Sequence, residues 1–280
     1  MALATSAEIP DGDEDFPALI AALAELGVEA QPAVWDADVD WTGFDLVVLR
    51  ATWDYAERRD GFLAWARSLP YVLNPVPVLE WNTDKHRYLT DLAAAGVPTV
   101  PTAFVEPGAA FEAPAEAYVV KPAVSAGGRS SARFDAGDAE AGRALVERIH
   151  ADRRTAMVQP YLGEIEETAL VYLDGAYSHA VRRRVPLPAA DERAVFYLDE
   201  HLRAGTATAG EQATAERALA CAPAKLLYGR VDLVDGAVLE LEIAEPSLYL
   251  SFGERAAARF AAAISERLRT STENGRTTSR

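Results

Sequence analysis

Short apolar runs alternate with amphipathic segments over the first 75 residues of the chain. The uninterrupted run at 46–49 is typical of a strand buried on both faces of a parallel sheet. Apolar residues recur at helical spacing over 16–26, where Gly27 ends the pattern. We predict strands at 2–5, 28–35, 46–49 and 71–73, with helices at 16–26 and 57–69. This order predicts a small βαβ domain with a doubly wound parallel sheet.

The pattern changes after residue 75, where strands are expected to pair as hairpins. A helix at 81–95 has Thr83 or Asp84 as its N-cap, and Gly96 ends it. Asp-Gly pairs at 174–175 and 235–236 predict two-residue turns between apolar strands. We predict strands at 118–120, 132–134, 157–162, 168–173, 176–185, 229–234 and 237–243, and helices at 138–149, 211–222 and 254–269. The polar tail from residue 270 is expected to be disordered.

Composition and charge narrow the classes of partner. The 280 residues include 27 Lys and Arg against 43 Asp and Glu, for a net charge of −16. This balance argues against nucleic acid and an anionic membrane surface, whereas a nucleotide needs only a local basic pocket. Cys221 is the single cysteine, which excludes an intrachain disulfide and favours a cytoplasmic protein. We expect neither a signal peptide nor a membrane span.

Lysine is rare in this chain, and two of its lysines lie where phosphate binding is plausible. Lys121 ends an apolar strand and precedes the loop SAGGRSS at 125–131, and Lys85 lies in the first turn of the predicted helix. Glycines let backbone N–H groups approach an anion, and lysine adds a compact charge. Two alternatives remain open: a plain hairpin with a polar loop, and an ordinary surface position for Lys85.

A loop rich in polar and aromatic side chains follows the apolar run at 46–49. Ligands of open α/β sheets bind at the carboxyl ends of the strands. We therefore expect Arg50, Trp53, Asp54 and Tyr55 to contact a substrate. The alternative is structural, with Asp54 as a helix N-cap and the aromatic rings packed.

Three carboxylates are predicted to share one face of the hairpin at 229–243. Glu240 and Glu242 are two residues apart on one strand, and Asp232 reaches the same face from the other. Such a cluster on an apolar sheet is costly unless it is neutralised, and Mg²⁺ does this with oxygen ligands. A solvent-facing acidic strand is the alternative. The few, scattered histidines make a zinc site unexpected.

In this order and spacing, the motifs resemble the ATP-grasp superfamily, and most closely its glutathione-synthetase-like branch. The matching segments are NTDK at 82–85, VVKP at 119–122, SAGGRSS at 125–131, VQPYL at 158–162, RRRVP at 182–186, and GRVDLV to LELEIAEPS over 229–247. Within the superfamily, the segments RATWDY, SHAVRRR and ELEIAEPSLYL resemble the O-ureido-D-serine cyclo-ligases. Those enzymes close the ring of the antibiotic D-cycloserine.

The resemblance implies a fold of the mixed α/β (α+β) class in which two α+β subdomains clasp ATP. An N-terminal βαβ domain at 1–75 precedes a linker and helical part at 76–115. The small subdomain with its glycine lid loop follows at 116–162, the C-terminal subdomain at 163–269, and the disordered tail at 270–280. The resemblance implies a small, amino-acid-like substrate. It is also compatible with a homodimer, although no motif in this chain dictates one.

The resemblance also implies roles for individual residues. The expected ATP contacts are Lys85, Lys121, Ser125, Gly127, Gly128, Arg129, Ser130, Gln159, Tyr161, Leu162 and Glu167. Asp232, Glu240 and Glu242 would hold two Mg²⁺ ions, and Arg184 and Arg230 would face the γ-phosphate and the activated carboxylate. Two departures concern the short segment at 163–166 before Glu167, and residues 194–203, which lack the paired glycines of the family. Arg193 is still expected to reach the substrate.

The implied reaction is an ATP-dependent carbon–nitrogen ligation. The γ-phosphoryl group passes to a substrate carboxylate, and a nitrogen then attacks the acyl phosphate. In a cyclo-ligase that nitrogen belongs to the same molecule. Two other interpretations remain open: an amide or peptide ligase that joins two molecules, and an ATP-binding phosphotransferase or sensor.

Overall fold

The computed structural model describes residues 1–163, 165–184 and 201–277. Over these residues, 13 strands form three sheets, and seven α-helices pack around them. The mixed α/β class that the resemblance implies is confirmed. None of the described helices is both long and apolar enough to cross a bilayer.

The N-terminal sheet is parallel and carries helices on both faces. Its elements are the strands β1 (Ala2–Thr5), β2 (Gln31–Val34), β3 (Val47–Ala51) and β4 (Val72–Leu73) and the helices α1 (Phe16–Glu25) and α2 (Arg59–Ser68). The strand order is β2-β1-β3-β4. Side chains alternate along each strand, so that Leu3 and Val48 pack with α1 while Ala4 and Leu49 pack with α2. The doubly wound sheet predicted from the sequence is therefore present.

Two helices, rather than the one predicted, lead out of this sheet. They are α3 (Val76–Asn82) and α4 (Lys85–Ala94). Asp84 separates them and caps α4 by accepting a hydrogen bond from the His86 N–H at 3.0 Å. Pro75 and Pro77 lie at the start of α3, where a missing N–H has no cost.

The central sheet is antiparallel and contains Lys121 and the strands that flank the glycine loop at 125–131. Its elements are β5 (Ala103–Val105), β6 (Tyr118–Pro122), β7 (Ala132–Phe134), β8 (Ala156–Pro160) and α5 (Ala139–Ala151). The strand order is β5-β8-β6-β7, and Tyr118 pairs with Phe134 across the glycine loop. The predicted strand–loop–strand unit is confirmed, and the extended linker proves to contain the edge strand β5.

The C-terminal sheet is the largest and carries the carboxylates. Its elements are β9 (Glu167–Leu173), β10 (Ala176–Arg184), β11 (His201–Gly205), β12 (Tyr228–Val234), β13 (Ala237–Glu242), α6 (Ala209–Ala220) and α7 (Ala256–Thr277). The order is β11-β10-β9-β12-β13, all antiparallel. Both Asp-Gly turns have positive φ at their two residues, as the two-residue hairpin requires.

The end of the chain differs from the prediction. Helix α7 continues to Thr277, whereas the sequence predicts a helix to 269 and a disordered tail from 270. No proline interrupts the residues after 270, so the backbone can continue its helical hydrogen bonds through them.

One fully buried amide joins the N-terminal sheet to the C-terminal sheet. Asn74 follows β4, and its Nδ2 donates to the carbonyls of Tyr228 at 2.9 Å and Ile243 at 2.7 Å. Its Oδ1 accepts from the Leu227 N–H at 2.6 Å. The side chain therefore satisfies three buried backbone groups at the ends of β12 and β13.

Replacing this amide by a carboxylate is expected to destabilise the fold. Asn74→Asp keeps the acceptor for Leu227 but donates to neither carbonyl, so the free energy of unfolding should fall by about 2–4 kcal/mol. Urea unfolding followed by circular dichroism measures the loss. The matched control is Gln31→Glu at the exposed first residue of β2, which should change the free energy of unfolding by less than about 0.5 kcal/mol. Equal losses in the two variants would contradict the assignment.

Candidate active site

A deep cleft opens where the three sheets meet. It encloses about 1490 Å³ of empty space, which includes open solvent at its mouth. Its walls come from the turn after β3, from α4, β6 and the glycine loop, from the segment after β8, and from β9, β10, β12 and β13. Residues far apart in the sequence thus face one space.

Most of the residues predicted to contact ATP line this cleft. They are Lys85, Lys121, Ser125, Gly127, Gly128, Gln159, Tyr161, Leu162 and Glu167. Two loop residues do not line it. Arg129 instead pairs with Glu57 at 2.6 Å and Glu8 at 3.4 Å. Ser130 is not among the residues that line the cleft, whereas its neighbour Ser131 is. The loop reverses there, with positive φ at residues 127, 128 and 130.

The two lysines enter the cleft from different elements. Lys85, the first residue of α4, donates from Nζ to the Ser125 carbonyl at 2.7 Å and so ties the helix to the glycine loop. Lys121, on β6, pairs with Glu240 at 2.8 Å. Burial would raise the pKa of Glu240, but Lys121 and Lys85 together hold it well below its usual range. Both ammonium groups therefore act on the same part of the cleft.

Three carboxylates from the β12–β13 hairpin converge beside these lysines. One oxygen each from Asp232, Glu240 and Glu242 lies within 4.8 Å of the others. The hairpin register explains this, because Asp232 is directly opposite Glu240 and Glu242 is two residues further along the same face. The donor set fits a hard divalent cation, since it consists of oxygens and is largely shielded from water.

Arginines neutralise part of this acidic cluster. Arg230 contacts Asp232 through Nε at 2.9 Å and Nη2 at 3.1 Å, and Glu242 at 2.6 Å. Arg183 bridges Asp232 at 2.9 Å and Glu167 at 2.7 Å. Burial nevertheless raises the pKa of Glu242 to about 7, with Asp232 and Glu240 adding to the rise and Arg230 opposing it. Additional positive charge beside Glu242 would therefore be electrostatically favourable.

The arginine next to the predicted one reaches the cleft from β10. Arg184 was expected to face the γ-phosphate, yet its side chain is exposed, whereas Arg183 is buried and lines the cleft. Successive side chains of a strand point to opposite faces, so only one of two neighbours can enter. The structure thus corrects the prediction by one residue. Arg193 lies outside the described residues, as do residues 194–200 of the following segment.

The side chains predicted to contact substrate at the end of β3 and in the following turn separate into two groups, one in the cleft and one in the protein interior. Trp53 and Tyr55 line the cleft as predicted, but Arg50 and Asp54 do not. Arg50 is fully buried within β3, 3.5 Å from Asp15, and Asp54 accepts a hydrogen bond from Trp35 at 2.8 Å. The structural alternative therefore holds for Arg50 and Asp54, although Asp54 bonds to a tryptophan instead of capping a helix.

The segment 244–249 follows β13, and each of its six backbone carbonyls is within hydrogen-bonding distance of a side chain. The hydroxyl of Tyr228 donates to the first carbonyl at 2.7 Å, Trp53 Nε1 to the second at 3.0 Å, Arg50 to the third at 2.8 Å and Arg230 to the fourth at 2.8 Å. Nε2 of His179 lies 3.0 Å from the last two. We call 244–249 the clamped segment. Arg50 therefore positions the wall of the cleft from behind.

The clamped segment carries a cleft residue that sequence reasoning missed. Glu245 is buried and lines the cleft. Burial raises its pKa to about 8, Glu242 adds to the rise, and Lys85 and Arg230 oppose it. A fourth acidic residue so close to Glu240 and Glu242 was the available signal in the sequence. Arg183, Ser247 and Tyr249 also line the cleft without having been predicted, and Ser131 lines it within the loop predicted at 125–131.

Comparisons by sequence and comparisons by structure identify the same relative. Residues 1–75 match the family model described as the N-terminal domain of D-cycloserine synthetase DcsG. Over 299 aligned residues the chain is 38% identical to the cycloserine biosynthesis protein DcsG of Streptomyces lavendulae, covering 96% of this chain and 99% of the relative. The crystal structure of D-cycloserine synthetase DcsG matches with a TM-score of 0.83 and 36% identity, over 95% of this chain and 99% of that one.

More distant structures share the fold. D-alanine–D-alanine ligase from Bacillus anthracis matches with a TM-score of 0.66 and 17% identity, over 98% of both chains. An ATP-grasp RimK domain protein from Sphaerobacter thermophilus matches with a TM-score of 0.64 and 19% identity, over 94% of this chain and 99% of that one. At these identities the likeness concerns the fold alone.

Neighbouring arginines of β10 provide a matched test of the cleft geometry. Arg183→Gln should lower the free energy of unfolding by about 3 kcal/mol, because it leaves the buried Glu167 and part of the charge on Asp232 without a partner. Arg184→Gln should change it by less than about 0.5 kcal/mol, since that side chain is exposed. Urea denaturation without added divalent cations makes the comparison. If Arg184→Gln lowered the free energy of unfolding more than Arg183→Gln did, the assignment of Arg183 to the cleft would be contradicted.

Proposed function

The chain belongs to the family of the D-cycloserine synthetase DcsG, whose fold is that of the ATP-grasp ligases, and we propose that it converts O-ureido-D-serine to D-cycloserine. The proposed reaction depends on ATP and Mg²⁺. The observation that carries the proposal is the meeting of Lys85, Lys121 and three clustered carboxylates in one cleft. Such a cleft suits a phosphate chain bound together with a divalent cation.

The nucleotide is proposed to lie between the central and C-terminal sheets. Lys85 and Lys121 bind its α- and β-phosphates, and the loop at 125–131 covers the β- and γ-phosphates with backbone N–H groups. The segment from Gln159 to Leu162 receives the adenine, and Glu167 the ribose. Support comes from the shared position of these residues on the cleft wall. Glu167 also pairs with Arg183, so a ribose contact there shares its carboxylate with the arginine.

The carboxylate cluster is proposed to hold two Mg²⁺ ions through Asp232, Glu240 and Glu242. When bound, Mg²⁺ neutralises charge on the phosphate oxygens as the phosphoryl group moves. The support is the oxygen-only donor set within 4.8 Å and the raised pKa of Glu242, which burial produces. Both features indicate that positive charge is favourable at this position.

In the proposed reaction the substrate carboxylate attacks the γ-phosphorus of ATP, and the bond to ADP breaks. The ureido nitrogen of the same molecule then attacks the acyl carbon, and phosphate leaves as the ring closes. One water hydrolyses the N–carbamoyl bond, which frees the ring N–H and releases the carbamoyl group as carbamate, which decomposes to carbon dioxide and ammonia. Arg183 and Arg230 stabilise the negative charge that develops on the phosphoryl and tetrahedral oxygens. One well-placed donor of this kind contributes on the order of 3 kcal/mol, or about a hundredfold in rate.

An acyl phosphate must be protected from water, and the glycine loop is proposed to act as a lid. The ion pairs of Arg129 with Glu57 and Glu8 support this, because they join the loop to the N-terminal domain. A closed loop excludes water and strengthens the electrostatic interactions inside the cleft.

The direct test is ADP release with O-ureido-D-serine as the only carbon substrate. We expect ADP, phosphate and D-cycloserine in equal amounts, with no dependence on an added amine. Glu242→Gln should lower kcat about a hundredfold by weakening the metal site. The control Glu216→Gln on the exposed side of α6 should keep full activity.

Other outcomes identify the competing functions. A requirement for a second amine would indicate a ligase that joins two molecules. ATP binding without ADP release in the presence of any amino acid derivative would indicate a sensor. Either result would overturn the proposed cyclisation.

A further inference from the structure

Glu245 differs from the other carboxylates that line the cleft. Among the described residues, Glu167 pairs with Arg183, Glu240 with Lys121, and Glu242 with Arg230. Glu245 lines the same cleft at 9% exposure, and no Lys, Arg or His nitrogen of the described residues lies within 4.0 Å of its carboxylate. A buried carboxylate without a cation is costly, so this position favours a ligand that brings one.

The backbone around Glu245 is rigidly held. Its own carbonyl accepts from Trp53, and the carbonyls on either side accept from Tyr228 and Arg50. The side chain therefore cannot reach a protein cation by a small backbone shift without breaking these buried hydrogen bonds. A fixed carboxylate that forms no ion pair with the described residues is typical of a recognition position.

The surroundings of Glu245 favour an ammonium group over a metal ion. Its oxygens are not part of the metal-type cluster of Asp232, Glu240 and Glu242 in the described structure. Trp53 and Tyr55 line the adjacent wall, and Glu245 is among the charges that raise the pKa of the buried Tyr55, behind burial itself. Aromatic faces and a carboxylate together suit an organic cation.

The charges in the cleft also complement those of a zwitterionic amino acid. Arg230 contacts Glu242 at 2.6 Å, beside the proposed position of the activated substrate carboxylate, and it is near enough to Glu245 to oppose the rise in the pKa of that group. An α-amino acid carries its carboxylate and its ammonium on the same carbon atom. Both ends of such a molecule thus find a group of opposite charge.

We propose that Glu245 binds the α-ammonium group of the amino-acid substrate and so determines the specificity of the cleft. The proposal rests on the proposed function, in which the α-ammonium does not react and remains in the product. A contact to a group that does not change contributes equally to substrate and transition-state binding, so its loss raises KM and leaves kcat nearly unchanged.

The test compares Glu245→Gln with the wild type on two substrates, O-ureido-D-serine and its analogue without the amino group. For the wild type, removal of the amino group should raise KM about 10- to 100-fold, as expected for a lost charged hydrogen bond. For Glu245→Gln, the two compounds should have similar KM values. The KM values for ATP and Mg²⁺ should not change. Glu254→Gln, on an exposed residue near the clamped segment, is the matched control.

Binding measurements separate this proposal from the proposed function. Calorimetry with a non-hydrolysable ATP analogue compares the same two compounds without turnover, and an unchanged affinity for that analogue shows that the variant is folded. Absence of ADP release in the wild type overturns the cyclisation alone.

Three results overturn the role of Glu245. One is an equal preference for the amino compound in wild type and variant. Another is no preference, or no binding of either compound, in the wild type. The third is a raised KM for Mg²⁺ in the variant, which would make Glu245 a metal ligand instead.

Discussion

The geometry of the cleft depends on side-chain hydrogen bonds to the six carbonyls of the clamped segment. A buried backbone that leaves a sheet loses its ladder partners, and each carbonyl then needs another donor. Here the donors come from β3 and the turn after it, from β10 and from β12, so one segment ties distant elements together. Arg50 and Trp53 act mainly through this segment, which carries Glu245 and leads on from the metal-type cluster.

Charge balance is the second constraint on the cleft. The whole chain carries a net charge of −16, yet the cleft gathers basic side chains against buried carboxylates. Because Lys121, Arg183 and Arg230 already have acidic partners, the cleft can accept phosphate oxygens and a divalent cation together more easily than either alone. A nucleotide with Mg²⁺ meets that requirement.

Local patterns in the sequence predicted much of the fold, and non-local packing decided the rest. The parallel sheet, the hairpins, the ATP-grasp fold and the family are confirmed, because they follow from periodicity, turn residues and ordered motifs. Arg184 was preferred over Arg183 because three successive arginines hide the strand register, and one step changes the face. Arg50 was misassigned because its partner Asp15 lies 35 residues away. Glu245 was missed because its environment is built by distant donors.

The central claim, activation of the substrate carboxylate as an acyl phosphate, is tested most directly by isotope transfer. O-ureido-D-serine with ¹⁸O in both carboxylate oxygens is converted with ATP and Mg²⁺, and the phosphate released is observed by ³¹P NMR. The account predicts one ¹⁸O in each phosphate, because the carboxylate oxygen that attacks phosphorus leaves with it. Unlabelled phosphate alongside product formation would contradict the account.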